Sequence, residues 1–163
     1  QSSMIESFVN DVYRLYPNAL RSDPRTTVTF VGRRHYNKRT IGRVWVNEWE
    51  VVAAFQKSHQ HLNIRLVYYE MLDFEEQMRI DRTTDIMVGM HGAGMVHALF
   101  LPFGSTVIEI FPKHKRRWGY RNIAQYRGFK YYTFRGGKDG KHESKIITAS
   151  EWEKFFKKIP YQT

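Results

Sequence analysis

"VGMHGAGMVHALFLPFGSTVIEIFP", residues 88–112, begins as the end of an apolar strand and breaks at His91-Gly92-Ala93-Gly94. It then resumes as a short apolar helix before a second strand, "STVIEIF" (105–111). Two glycines permit a tight turn and leave the backbone amides bare, so a ligand can approach them closely. Free amides and the dipole at a helix start favour anions, phosphate above all. The same glycines can equally do no more than shape the turn, with His91 a satisfied polar residue of the loop.

Outward from this stretch, the strand "DIMVGM" (85–90) belongs to an alternating series. Residues 3–18 place Ile5, Phe8, Val9, Val12 and Leu15 on one helical stripe. "TTVTFVG" (26–32) reads as a strand, followed by the basic loop "RRHYNKRTIGR". Asn47, with Glu50 three residues on, has the capping-box pattern of a helix running to about Lys57. "LNIRLVYY" (62–69) is the next strand, and Asp73 with Glu76 repeats the cap before a helix through Arg82. Gly94 to Leu101 is a short helix, "YRNIAQYRG" a helix ending at Gly128, and "KYYTF" a strand. Residues 135–147, rich in glycine and charge, read as a flexible loop, and Thr148 with Glu151 caps a terminal helix over 148–160. Strand and helix alternating in this way predict an α/β domain, a mostly parallel sheet covered on both faces. Ligands bind such sheets beyond the carboxyl ends of the strands, where the strand order reverses. The basic loop and the glycine loop both follow strands.

The 163 residues make about one domain, 42% apolar and 15% aromatic, which excludes a disordered chain. No run approaches the roughly 18 apolar residues that cross a bilayer. The first residues lack the pattern of a signal peptide. Without cysteine there is neither a disulfide framework nor a thiolate metal site. The net charge of +10 favours anionic partners, and it is concentrated between Arg33 and Arg43 and between Lys113 and Arg121.

Gly92-Ala93-Gly94-Met95-Val96-His97 supplies two glycines of the dinucleotide fingerprint but has His97 in the third place, at the third strand instead of the first. No Walker G-K-[ST] and no G-x-S-x-G elbow occurs. "DIMVGMHGAGMVHALFLPFGSTVIEIFP" does, however, resemble the signature of glycosyltransferase family 61. "VGRRHYNKRTIGRVWVNEWEVVAAF" is similar to a second block of that family, with Arg33, Arg34, Arg43, Asn47, Glu48 and Glu50 in register. Gly32 stands where the family usually has serine, and the basic loop is slightly longer. The likeness covers about residues 26–134.

The resemblance implies a transferase of the GT-B type, built of two Rossmann-like halves, of which this chain is the carboxyl-terminal, donor-binding one. Residues 1–20 are then a linking helix, the core is 26–134, and the acceptor-binding half and a membrane anchor or signal precede the stretch. The implied donor is a UDP-sugar, the implied reaction an inverting transfer of N-acetylglucosamine or a pentose to a glycoprotein or polysaccharide hydroxyl. The implied place is the lumen of the Golgi or endoplasmic reticulum. The departing diphosphate requires preformed positive groups. With no Asp-x-Asp motif and no permanent cofactor implied, stabilisation without a metal is expected, from Arg33, Arg34, Arg43 and the turn Gly92, Ala93, Gly94, with Asn47 and His91 as further donor-binding residues. Arginine suits the task because its planar fork grips phosphate in two bonds. Glu109, inside an apolar strand, needs a partner: a ribose diol, or a neighbouring loop that it caps. His91 either meets the ligand or pins the loop, and Phe111 and Pro112 are placed to flank the uracil ring. No general base is identifiable.

Two other classes remain open at this level. The charge and "KHKRRWGYR" suit a nucleic-acid-binding module, although no RRM, KH, OB or helix-turn-helix signature accompanies them. An inactive transferase-like domain would keep the fold without the donor.

Overall fold

The computed structural model describes residues 2–17, 21–34 and 41–161, so residues 35–40 of the basic loop lie outside it. Strands β1 (Thr27–Val31), β2 (Asn63–Val67), β3 (Ile86–Met90), β4 (Thr106–Ile110) and β5 (Lys130–Phe134) form one sheet. All pairs are parallel and the order is β2-β1-β3-β4-β5. Every residue of β1, β3 and β4 is buried, which is why these segments are nearly unbroken apolar runs.

The described residues form five α-helices: α1 (Ser3–Leu15), α2 (Glu48–Ser58), α3 (Phe74–Arg82), α4 (Gly119–Arg127) and α5 (Ala149–Phe156). On one face α2 and α5 press Phe55 and Trp152 against Phe30, Val88 and Ile108. On the other, a 3-10 helix over Ala93–Phe100 and α4 pack Met95 and Ala124 against Val31, Met87 and Val107. The result is a three-layer, Rossmann-like domain, as the alternation of elements predicts. Helix α1 lies outside the second layer, where Val9 meets Met78 and Phe100. It is tied there by buried Arg127, which pairs with Glu6 and donates to the Leu101 carbonyl at 2.9 Å.

Several local features differ from the sequence reading. The segment after the glycine loop is wound as a 3-10 helix, starting with a bond from the Met95 amide to the Gly92 carbonyl. The inward stripe of α1 is shifted: Phe8 and Leu15 are exposed, while Tyr13 turns in to donate to the Phe100 carbonyl at 2.7 Å. Asn47 precedes α2 without capping it. Its amide donates to the Ile147 carbonyl at 2.9 Å, and its oxygen accepts from the Trp45 indole and the Ile147 amide. Asp73 and Thr148 do cap their helices, the second in a full capping box with Glu151.

The segment read as a flexible loop carries an antiparallel pair, β6 (Lys138–Asp139) and β7 (Lys145–Ile146). Lys145 is fully buried there, its ammonium donating to the Gly136 carbonyl at 2.6 Å and to Asp139 at 2.7 Å. Its backbone bonds to Val44 and Val46, a pairing so distant in sequence that no local pattern announces it.

One close approach sets the second layer in place. A Cβ on Gly89 would lie 2.6 Å from the sulfur of Met95, so the bare backbone of β3 lets the 3-10 helix sit directly on the sheet. Gly89→Val is expected to destabilise the fold by about 1–3 kcal/mol through overpacking, read as a lowered urea midpoint. An unchanged midpoint would show that Met95 yields without cost.

Candidate functional site

Val31 and Gly89 are partners across β1 and β3, so the loops leaving these strands start side by side. This is also where the strand order reverses, since β2 lies beyond β1 and β4 beyond β3. Arg33 folds over the glycine loop. A Cβ on Gly92 would lie 1.2 Å from its Nη1, which donates to the His91 carbonyl at 3.4 Å. A side chain at this position would have to displace the guanidinium. Gly94 is constrained more mildly, its absent Cβ falling 2.9 Å from Val31.

A cavity of about 370 Å³ opens at this junction. Its lining includes Arg33 and Arg34 from the turn after β1, Ala93, Gly94 and His97 from the 3-10 helix, Tyr69 and Glu70 from the turn after β2, and Gln77 from α3. The Ala93 and Gly94 amides head the 3-10 helix, where intrahelical partners are absent. Arg34 is shared: it lies 3.5 Å from Glu70 and stacks over the Tyr68 ring at 4.8 Å. Gly32 is explained by the same ring, since a Cβ there would come within 2.5 Å of it.

Glu48, in the first turn of α2, holds the β1 turn from behind. Its carboxylate accepts from the Tyr68 hydroxyl at 2.7 Å and from the Arg33 backbone amide. Burial pushes its pKa up from 4.5 to about 7, despite both of these hydrogen bonds.

The glycine loop and the helix after it are anchored at both ends by the same kind of device. At the front, His91 Nδ1 meets the carboxylate of Glu109, which also accepts from the Tyr131 hydroxyl at 2.5 Å. At the back, His97 Nδ1 meets Asp81 at 2.6 Å, and Asp81 also accepts from the Tyr69 hydroxyl. The His97 and Tyr69 rings are stacked, with centroids 3.8 Å apart. Burial raises the pKa of both carboxyls, and the hydrogen bonds from histidine and tyrosine oppose that rise.

Of the residues expected at the site, the structure brings Arg33, Arg34, Ala93 and Gly94 to the cavity wall, with Gly92 beneath Arg33. His91 and Glu109 are not on the cavity wall: Nδ1 of His91 meets one oxygen of Glu109, and the other oxygen takes the Tyr131 hydroxyl. Arg43, in a left-handed conformation (φ 58°), pairs with Glu143 at 3.9 Å and is not on the cavity wall. Asn47 is turned to Ile147. Phe111 is not free to flank a base: it is 1% exposed, stacked on His91 and covered by Arg135. His97, Tyr69, Asp81 and Glu48 were missed as site residues. Only Glu48 and His97 carried a signal, one within Asn-Glu-x-Glu and the other six residues after His91. Among the described residues, no three His, Asp or Glu side chains are grouped to hold a metal ion.

A doubly wound parallel sheet, with a guanidinium laid on a bare glycine loop at its reversal point, places the chain in the Rossmann-like class of α/β domains. Comparison narrows this class to one family. The sequence profile of Glycosyltransferase 61 matches residues 2–108, and the chain belongs to that family. Among its relatives is the EGF domain-specific O-linked N-acetylglucosamine transferase of Drosophila melanogaster, 36% identical over 100 residues, covering 61% of this chain and 19% of that protein. The protein of the same name from Gallus gallus is 37% identical over 115 residues, covering 69% of this chain and 20% of the relative. The chain thus spans about a fifth of the length of the curated relatives it matches.

Two outcomes follow from this geometry. Gly92→Ala is expected to drive the Arg33 guanidinium off the loop and to lower the urea midpoint modestly, and an unchanged midpoint would show that Arg33 moves aside without cost. For Glu48, the folded state favours the protonated carboxyl, so its stabilising effect is complete below the unfolded value of 4.5 and is lost as pH rises through about 7. Glu48→Gln should therefore flatten the fall in melting temperature between those pH values, and a slope equal to that of the wild type would contradict the assignment.

Proposed function

We propose that this chain is the donor-binding part of a glycosyltransferase and holds the diphosphate of a UDP-sugar at the junction of β1 and β3. The observation that carries this reading is the Arg33 guanidinium lying on Gly92, beside the amides that open the 3-10 helix. Membership of glycosyltransferase family 61 supports it, as do relatives named as N-acetylglucosamine transferases. In the reaction so read, an acceptor hydroxyl attacks the anomeric carbon as the bond to the diphosphate breaks, with inversion, and the hydroxyl proton passes to a general base. Arg33 and Arg34 meet the negative charge that grows on the leaving group, and such fixed donors are typically worth about 3–4 kcal/mol each. The sugar is N-acetylglucosamine or a pentose, and the acceptor a glycoprotein or polysaccharide. The reading makes this stretch one half of a GT-B enzyme, its acceptor wall supplied by residues outside it, at work in the lumen of the secretory pathway. No helix among the described residues is long and apolar enough to cross a membrane.

Thermal shift with UDP tests the reading. At tenfold over Kd, ligand linkage amounts to about 1.4 kcal/mol, roughly 3–6 °C for a chain of this size. The shift should vanish in the Arg33→Ala, Arg34→Ala double variant. Absence of any UDP response, with salt-dependent binding to random oligonucleotides, would favour the exposed basic stretch 113–121, where Arg121 stacks over exposed Trp118.

A further inference from the structure

The lining of the cavity is of two kinds: Arg33 and Arg34 are cationic and Ala93 and Gly94 open the 3-10 helix, while His97, Tyr69, Glu70 and Gln77 are polar side chains of other types. Among the latter the hydroxyl of Tyr69 is committed to Asp81, the carboxylate of Glu70 to Arg34, and both donors of Gln77 to the carbonyls of Tyr69 and Leu72. His97 differs from these. Its Nδ1 is engaged by Asp81, but Nε2 has no hydrogen-bond partner among the described residues and is not sealed in the core. The residue is 8% exposed and is one of those that line the cavity.

Asp81 sets the tautomer of this ring. Its carboxylate already accepts from Tyr69 and has Arg65 within electrostatic reach, so toward His97 it acts as an acceptor and the ring hydrogen sits on Nδ1. Nε2 then presents a lone pair to the cavity. Tyr69, stacked flat on the imidazole, prevents the ring from turning away. An acceptor nitrogen fixed in a cleft next to a phosphate site matches a hydroxyl donor.

We propose that His97 Nε2 accepts a hydrogen bond from a hydroxyl of the nucleotide-sugar donor, with Asp81 and Tyr69 as positioning residues. The inference rests on the donor site proposed above and assigns a further contact within it. Two parts of the donor carry such hydroxyls, the ribose and the transferred sugar, and calorimetry with UDP and with UDP-N-acetylglucosamine separates them. His97→Asn keeps an amide that can reach Asp81 but leaves nothing at the Nε2 position, whereas His97→Gln restores an amide oxygen there. Asp81→Asn presents an N–H to Nδ1 and moves the ring hydrogen to Nε2, turning the acceptor into a donor.

The expected result is a Kd about tenfold higher in His97→Asn and Asp81→Asn and within about threefold of wild type in His97→Gln, at comparable melting temperatures. Loss for both ligands assigns the ribose; loss for UDP-N-acetylglucosamine alone assigns the sugar. Unchanged binding in His97→Asn, where Arg33→Ala still abolishes it, would overturn the role of His97 and leave the donor site standing. Equal losses in all three variants, with lowered melting temperatures, would also overturn it, as the mark of a purely structural residue. Failure of the wild-type chain to bind either ligand would remove the donor site and this inference together.

Discussion

The architecture depends on a lack of side chains along a few residues of β3 and the turn that follows. At Gly89 a side chain would collide with Met95, and at Gly92 with Arg33. The first absence lets a helix lie directly on the sheet, and the second lets a guanidinium lie directly on a loop. Because β1 is the hydrogen-bonded neighbour of β3, the two contacts meet at one edge. The cavity is what remains between them.

Close packing alone would not hold a 3-10 helix, whose hydrogen bonds are poorer than those of an α-helix. Two histidines brace it, each with Nδ1 on a buried carboxylate that also takes a tyrosine hydroxyl. A buried carboxylate is costly unless its oxygens are satisfied. Here both oxygens of Glu109 and both of Asp81 are occupied, and the bonds reach from the helix to β4 and β5 on one side and to α3 and the turn after β2 on the other. The segment that lines the cavity is therefore held in position by the protein's own side chains, the kind of support that a site of fixed dipoles needs.

Much of this was legible from local pattern. The apolar runs of β1, β3 and β4 announced buried parallel strands, and Asp73 and Thr148 announced their helices. The loops carrying Arg33 and Gly92 were placed after strands, as they are in the structure. The misses share a cause, since each depends on a partner far along the chain. Asn47 looked like a cap and instead holds Ile147; Phe111 looked available and is covered by His91 and Arg135. The segment 135–147 looked structureless because its ordering comes from residues 44–46.

The amino-acid sequence alone determined that strands and helices would alternate, that the sheet would be parallel, and that a bare turn and a basic turn would each follow a strand. Hydrophobic period and backbone freedom are local properties, and a chain displays them without folding. Only the tertiary structure decided that those turns are neighbours, that Glu109 serves His91, and that His97 faces the cavity with Asp81 behind it. Such facts follow from strand order and from side chains meeting across layers, and these are set by how the whole core packs.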